Sequence, residues 1–205
     1  MPKLVDHEQR RRDLAEAVWR VIRRDGIDRA SVRTVAREAG WSAGALRHYF
    51  GTQSELLGFA MQLVVERVEG RIAALEPPKE PREAVEQLLH ELLPLDDERR
   101  AENEVFFAFT GRALVDAALR TRHEEVHDAL RAGCTRAVET LATIGPTRLS
   151  LDTALEAERL HALIDGLALH NAIHPGRMPP ERIVALLARH LDSLDAGGST
   201  YARDS

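Results

Sequence analysis

Cysteine is nearly absent from this chain of 205 residues, which contains only Cys134. One thiol excludes an internal disulfide and suits a reducing compartment. Long apolar runs are missing too. No stretch reaches the roughly 18 apolar residues of a membrane-spanning helix, and the first residues lack the apolar core of a secretory signal. We therefore expect a cytoplasmic protein without a membrane partner.

Apart from one zinc-hydrolase-like segment described below, two widespread enzyme motifs are also missing. The sequence holds no phosphate-binding glycine loop and no Cys-x-x-Cys. We expect no catalysis, no cofactor and no resident metal. Alternating strand patterns are absent, whereas helical periodicity runs almost throughout, which predicts an all-α fold.

Charge is distributed unevenly along the chain. The whole sequence carries a net charge of −5, but residues 1–50 carry +4 and residues 51–205 carry −9. Such asymmetry indicates a basic working face on an acidic, soluble body.

The most informative stretch is SVRTVAREAGWSAGALRHYFGTQSELL, residues 31–57. Ser31 and Ser42 can each cap a short helix, and Gly40 stands where the chain must reverse and a positive φ is useful. Thr52 opens a Thr-x-x-Glu capping box before a longer helix. Two short helices around a glycine turn are typical of a helix-turn-helix, which places one helix in the DNA major groove.

The helix predicted over residues 43–49 has a slim, small-residue edge that could approach base edges closely. Arginine side chains suit guanine edges and phosphates. The candidate DNA-contact residues are Arg33, Ser42, Ala43, Gly44, Arg47, His48, Tyr49, Thr52 and Gln53. The alternative is an ordinary three-helix hairpin with solvated arginines.

Residues 8–75 resemble the TetR family of bacterial transcriptional regulators. The matching residues are Ala36, Ala39, Gly40, Ser42, Gly44, Leu46, His48, Tyr49, Phe50, Glu55 and Leu56. The resemblance implies an N-terminal DNA-binding domain on a helical, dimeric ligand-binding domain, and a small-molecule inducer that weakens operator binding. Gln53 stands where members commonly carry a lysine that meets a phosphate.

The predicted organisation follows the breaks in periodicity. A first helix spans 8–24, and a helix over 53–75 connects the DNA-binding domain, residues 1–52, to a ligand-binding and dimerisation domain, residues 76–196. Prolines at 77–81 mark the boundary, and residues 197–205 form a disordered tail. The helices predicted for the second domain are 81–93, 104–119, 122–144, 151–173 and one from residue 179.

The last two helices carry apolar stripes that predict a four-helix interface between two copies of the chain. The stripe residues are Leu163, Gly166, Leu167, His170, Ile183, Leu187 and Leu191. Both stripes could instead face their own subunit's core.

A ligand cavity in the second domain is predicted from Phe106, Phe109 and Asn171, because ligand sites are mostly apolar with few polar anchors. A filled core gives the same pattern. The expected partners are thus a double-stranded operator, a second copy and an inducer of unknown identity.

A competing motif reads His-Glu-Glu-Val-His, residues 123–127. It has the zinc-hydrolase spacing, in which His123 and His127 would bind zinc and Glu124 would activate water. No third ligand accompanies it, and the flanking residues read as a solvated helix face. A histidine pair that binds metal incidentally, or a helical interaction module without DNA binding, are the other interpretations. We favour a dimeric, ligand-responsive repressor.

Overall fold

A computed structural model describes residues 3–76, 78, 80–144 and 152–195, and the tail predicted over 197–205 lies outside them. Within these ranges every regular element is helical, which confirms the all-α prediction. The α-helices are α1 (Lys3–Asp25), α2 (Val32–Ala39), α3 (Ala43–Arg47), α4 (Gln53–Ala74), α5 (Pro81–His90), α6 (Asp97–Ala113), α7 (Ala117–Ile144), α8 (Thr153–Ile173) and α9 (Pro180–Asp195). Among the described residues, no helix combines the length and hydropathy that a membrane span requires.

One predicted helix, residues 104–119, is divided between two helices. Helix α6 ends at Ala113, and α7 begins at Ala117 after a short turn. Asp116 forms this break, because its Oδ1 accepts a hydrogen bond of 3.0 Å from the Ala118 N–H and so caps the first turn of α7. The turn leaves Leu114 and Val115 exposed to solvent. Apolar periodicity continues through it, which is why the sequence pattern missed the boundary.

The chain forms two compact units. Unit 1 contains Met1–Glu69 and Arg100–Glu124, and unit 2 contains Gly70–Arg99 and Glu125–Ser205. Residues 100–124, which the sequence assigned to the second domain, therefore cluster with the N-terminal helices.

Unit 1 is built around the buried face of α1, which packs against α2. Leu14, Val18 and Ile22 are buried on α1, as are Val35 on α2 and Leu46 on α3. Burial of these side chains is the main stabilising contribution to this small domain.

Ion pairs between α1 and α2 also fix the orientation of these two helices in unit 1. Glu38 on α2 accepts from Arg20 Nε at 2.9 Å and from Arg24 Nη1 at 2.8 Å, both on α1. The hydrogen bonds from Arg24 and Arg20 lower the pKa of Glu38, so the carboxylate is ionised at neutral pH. The guanidinium of Arg67 lies 4.5 Å from the ring centre of Trp19, a cation–π contact.

Unit 2 has an apolar core drawn from α5, α7, α8 and α9. Leu167, Ile183, Leu187 and Leu191 are buried in it, and Leu163 packs against it. These five residues therefore pack in or against the core of a single chain, which is the alternative that the sequence left open, and the dimer interface itself stays a prediction. Amphipathic stripes that looked like interface serve the chain's own core, because the same helical period suits both uses.

A buried ion cluster also orders unit 2. The Glu91 carboxylate accepts from Arg71 Nε at 2.7 Å and from Arg99 Nη2 at 3.0 Å. Two arginines share one carboxylate that is almost inaccessible to solvent, so the buried charge is paired on both oxygens.

Candidate nucleic-acid interface

Local capping defines the two short helices of the motif. The Ser31 Oγ accepts from the Thr34 N–H at 3.2 Å, and the Thr34 Oγ1 accepts from the Ser31 N–H at 2.8 Å, which caps α2 reciprocally. Gly40 ends α2 with φ of 70°, as the sequence predicted. The Ser42 Oγ accepts from the Ala45 N–H at 3.1 Å and starts α3. Chain reversal and both helix starts are therefore encoded within a dozen residues.

Helix α3 spans Ala43–Arg47, which is shorter than the predicted 43–49, because His48 is already its C-cap. Leu46 is fully buried and anchors the helix, whereas the other residues of α3 are exposed. Tyr49 follows in the turn with its ring centre 5.5 Å from that of Trp41 and is 39% exposed. The outward surface of α3 is thus narrow at its N-terminal end and bordered by a phenol.

Two arginines of the motif are exposed to solvent and do not bind another side chain of the described residues. Arg33 on α2 and Arg47 on α3 make no hydrogen bond or ion pair with another residue in the described part of the chain. By contrast, Arg20 and Arg24 are held by Glu38. Arg20 and Arg24 therefore serve the packing of the domain, whereas the guanidinium groups of Arg33 and Arg47 remain available to a phosphate or a base edge.

The start of α4 is capped by Thr52, whose Oγ1 accepts from the Glu55 N–H at 3.1 Å. The Glu55 carboxylate accepts from the Gly51 N–H at 2.9 Å, one residue earlier than in the predicted capping box. The carboxylate and the cap together fix where α4 begins.

Gln53 has a different use from the predicted phosphate contact. Its Nε2 donates to the Ala30 carbonyl at 2.5 Å, which ties the first turn of α4 to the segment before α2. One of the two hydrogens on Nε2 is engaged in this bond, and the other hydrogen and the backbone N–H of Gln53 can still meet a phosphate. The predicted DNA contact of Gln53 stays a prediction.

The start of α4 also contacts the turn between α6 and α7, a contact that the sequence did not reveal. Ser54 Oγ hydrogen-bonds to Asp116 Oδ2, and Arg112 Nε donates to Ser54 Oγ at 3.4 Å. The bond from Ser54 and that from the Ala118 N–H lower the pKa of Asp116. An aspartate ahead of a helix signals a cap, but its partner 62 residues away cannot be read from spacing.

The predicted ligand residues have separate environments. Phe109 is fully buried, with its ring centre 6.1 Å from that of His123, and Phe106 is half-buried with its ring centre 5.5 Å from that of Phe107. Asn171 belongs to unit 2, where its Nδ2 donates to the Met178 carbonyl at 2.8 Å. Asn171 therefore links α8 to the segment before α9, and its use as a ligand anchor stays a prediction.

The zinc-hydrolase interpretation does not gain support. His123 lies in unit 1 against Phe109, whereas His127 lies in unit 2 with its ring centre 4.8 Å from that of His161. No three His, Cys, Asp or Glu side chains in the described ranges are arranged to hold a metal. The two histidines of the motif thus have different neighbours.

Comparisons with known proteins agree with this geometry. The family profile described as "Bacterial regulatory proteins, tetR family" matches residues 14–58, and that of "BetI-type transcriptional repressor, C-terminal" matches residues 81–196. The HTH-type transcriptional regulator PksA of Bacillus subtilis is 44% identical over 195 residues, covering 95% of this chain and 94% of its own length.

Solved structures share the fold. A transcriptional regulator from Rhodococcus sp. Rha1 has a TM-score of 0.76 at 30% identity, with 90% of this chain and 95% of its own covered. A transcriptional regulator from Saccharomonospora viridis, solved in complex with choline, has a TM-score of 0.76 at 22% identity, with 90% and 96% covered.

Replacing Gln53 with alanine tests its structural use. Gln53→Ala leaves the buried Ala30 carbonyl without its partner, so we expect the free energy of unfolding to fall by about 1–3 kcal/mol. Gln62→Ala is the matched control, because Gln62 also lies on α4 but bonds only to Glu66 on the solvent side. Urea unfolding followed by circular dichroism measures both. Equal, small losses in the two variants would show that the Gln53–Ala30 bond is unimportant.

Proposed function

The chain belongs to the TetR family of bacterial transcriptional regulators, and we propose that it represses transcription by placing α3 in the major groove of a palindromic operator as a homodimer. One observation carries this proposal. Leu46 is buried and holds α3 on the domain, while the rest of the helix, including Arg47, and Arg33 on α2 face solvent. A recognition helix requires this arrangement, in which one side packs on its own domain and the opposite side can contact DNA.

Each exposed group has a distinct role in this docking. Arg47 lies on α3 and presents its fork to a base edge, whereas Arg33 on α2 meets a phosphate. Ala43 and Gly44 lack bulky side chains, so the start of α3 approaches the bases closely.

Polar groups around the helix make the remaining backbone contacts. Hydroxyl and imidazole groups commonly bind phosphate oxygens and fix the register of a protein on the duplex. The groups assigned to this role are Ser42, His48, Tyr49, Thr52 and Gln53.

The second copy docks through the solvent side of α8 and α9. Apolar or small residues that are exposed or partly exposed recur on α8 at intervals that keep them on one helix face. They are Leu155, Ala162, Gly166, Leu169 and Ile173. Leu186 is exposed on α9, and a Cβ added to Gly166 would meet no atom within 4 Å. His170 and Gly166, predicted from the sequence, remain part of this proposed face.

The inducer is a small organic cation that binds beside α6. Phe106 and Phe107 offer half-buried aromatic rings there, and cations are attracted to ring faces. The choline complex of the Saccharomonospora viridis regulator supports this chemistry. Residues 100–124 belong to the same compact unit as the DNA-binding helices, and Asp116 bonds to Ser54 at the start of α4. A displacement of α6 would therefore reach the DNA-binding helices through this bond.

DNA binding separates the roles of the two arginines. Arg33→Ala should weaken binding to all sequences alike and reduce the salt slope by about 1, because one phosphate contact is lost. Arg47→Ala should cost about 1–3 kcal/mol and relax the preference at one operator position. Fluorescence anisotropy with specific and scrambled duplexes across a salt series measures both effects.

Arg120→Ala is the control for this experiment, since Arg120 is exposed on α7 outside the motif. It should bind as the wild type does. Wild-type affinity, salt slope and specificity in both motif variants would contradict the docking. A wild-type protein that binds neither duplex would instead be a helical interaction module.

The oligomeric state of a variant on α8 tests the proposed dimer interface. Leu169→Arg places a charge at the centre of the proposed interface, so we expect a folded monomer by sedimentation velocity, because a buried unpaired charge is costly. Leu114→Arg, at an exposed site on the turn after α6, should leave the dimer intact. An unchanged dimer in Leu169→Arg would place the interface elsewhere.

The inducer is tested with choline and benzyltrimethylammonium by thermal shift, with and without operator DNA. Binding should raise the midpoint of the wild type but not of Phe106→Ala. By linkage, DNA must weaken the cation by the same factor by which the cation weakens DNA, and a tenfold factor corresponds to about 1.4 kcal/mol. Compounds that bind equally with and without DNA would not be inducers, and loss of binding in a Leu114→Ala control would signal a general defect.

A further inference from the structure

Two histidines from neighbouring helices of unit 2 face each other. His127 on α7 and His161 on α8 have ring centres 4.8 Å apart and planes tilted by 42°. His127 is the second histidine of the His-Glu-Glu-Val-His segment, so its neighbour is supplied by α8 and not by His123 one turn earlier.

His161 has an unusual environment for an imidazole. The residue is only 6% exposed, and its Nε2 is buried without a hydrogen-bond partner. Asp165 Oδ2 lies 3.7 Å from this nitrogen, which is too long for a hydrogen bond. A buried ring nitrogen without a partner carries a free-energy penalty, which a ligand at this point would remove.

The protonation state of His161 also suits a ligand. Burial is the largest influence on its pKa and lowers it, with His127 and Arg131 on α7 acting in the same direction and Asp165 on α8 opposing. The imidazole is therefore neutral at physiological pH, which is the form that coordinates metals.

We infer that His127 and His161 bind one divalent transition-metal ion, such as Zn²⁺, between α7 and α8. Zn–N bonds of about 2.0–2.1 Å place the ring centres of two imidazoles on one tetrahedral ion roughly 5 Å apart, close to the observed separation. Asp165 supplies negative charge beside the ion, and water completes the coordination. The site needs two protein ligands only, in keeping with the lack of a ready three-residue cluster among the described residues.

Neighbouring groups limit the choice of ligands. Cys134 lies in the apolar core of unit 2, and burial raises the pKa of its thiol to about 11, so the thiolate that a metal requires is not formed. The positive charge of Arg131 is partly offset by Asp128, 3.6 Å away. Imidazole ligands favour zinc, copper or nickel over magnesium or calcium.

The test uses the full chain, stripped with a chelator and dialysed. Equilibrium dialysis against Zn²⁺ and Ni²⁺ should give about one ion per chain, and Zn²⁺ should raise the thermal midpoint because a ligand that binds the folded state stabilises it. His127→Gln should lower the affinity at least about tenfold and abolish the thermal shift. His127 is exposed, so this variant should fold normally, as circular dichroism can verify.

His123→Gln is the matched control, one turn earlier on the same helix, and should bind zinc as the wild type does. His161→Gln should repeat the loss seen for His127→Gln. The inference is overturned by wild-type affinity in His127→Gln, by a loss in His123→Gln equal to that in His127→Gln, or by the absence of stoichiometric binding in the wild type.

Discussion

The five residues of α3 are too few to form a helix by themselves, because helix nucleation is unfavourable and propagation over so short a length cannot offset it. The helix exists because Leu46 is buried and because Ser42 and Gly40 fix its start and its approach. Every functional feature of the motif follows from that constraint. A side chain that must anchor the helix cannot also read DNA, so the reading surface consists of what remains outside.

The compact unit that contains α3 also includes most of α6 and the start of α7. Ser54, in the first turn of α4, is bonded to Asp116 at the turn between α6 and α7, and Gln53 beside it is bonded to the Ala30 carbonyl. The first turn of α4 therefore lies between the recognition motif and the proposed inducer site. A ligand at the proposed site would therefore be connected to the DNA-binding surface through these two hydrogen bonds.

Short-range features were predictable from sequence, whereas long-range pairings were not. Gly40 and the caps at Ser31 and Ser42 depend on neighbours within a few residues, so their residue types specify them. The partner of Ser54 comes from a distant part of the chain, and no local pattern reports it. The stripe containing Leu187 was ambiguous for a different reason, because core and interface stripes share the same helical period. Only burial in the folded chain separates them.

The central claim, that two copies of α3 read the major groove, is tested most directly by methylation interference on an operator selected from random duplexes. Dimethyl sulfate modifies guanine N7 in the major groove and adenine N3 in the minor groove. The account predicts that guanine methylation blocks binding at two symmetric half-sites separated by one helical turn or a multiple of it, about 10 base pairs per turn. Interference confined to adenine N3, or to a single unsymmetrical site, would contradict it.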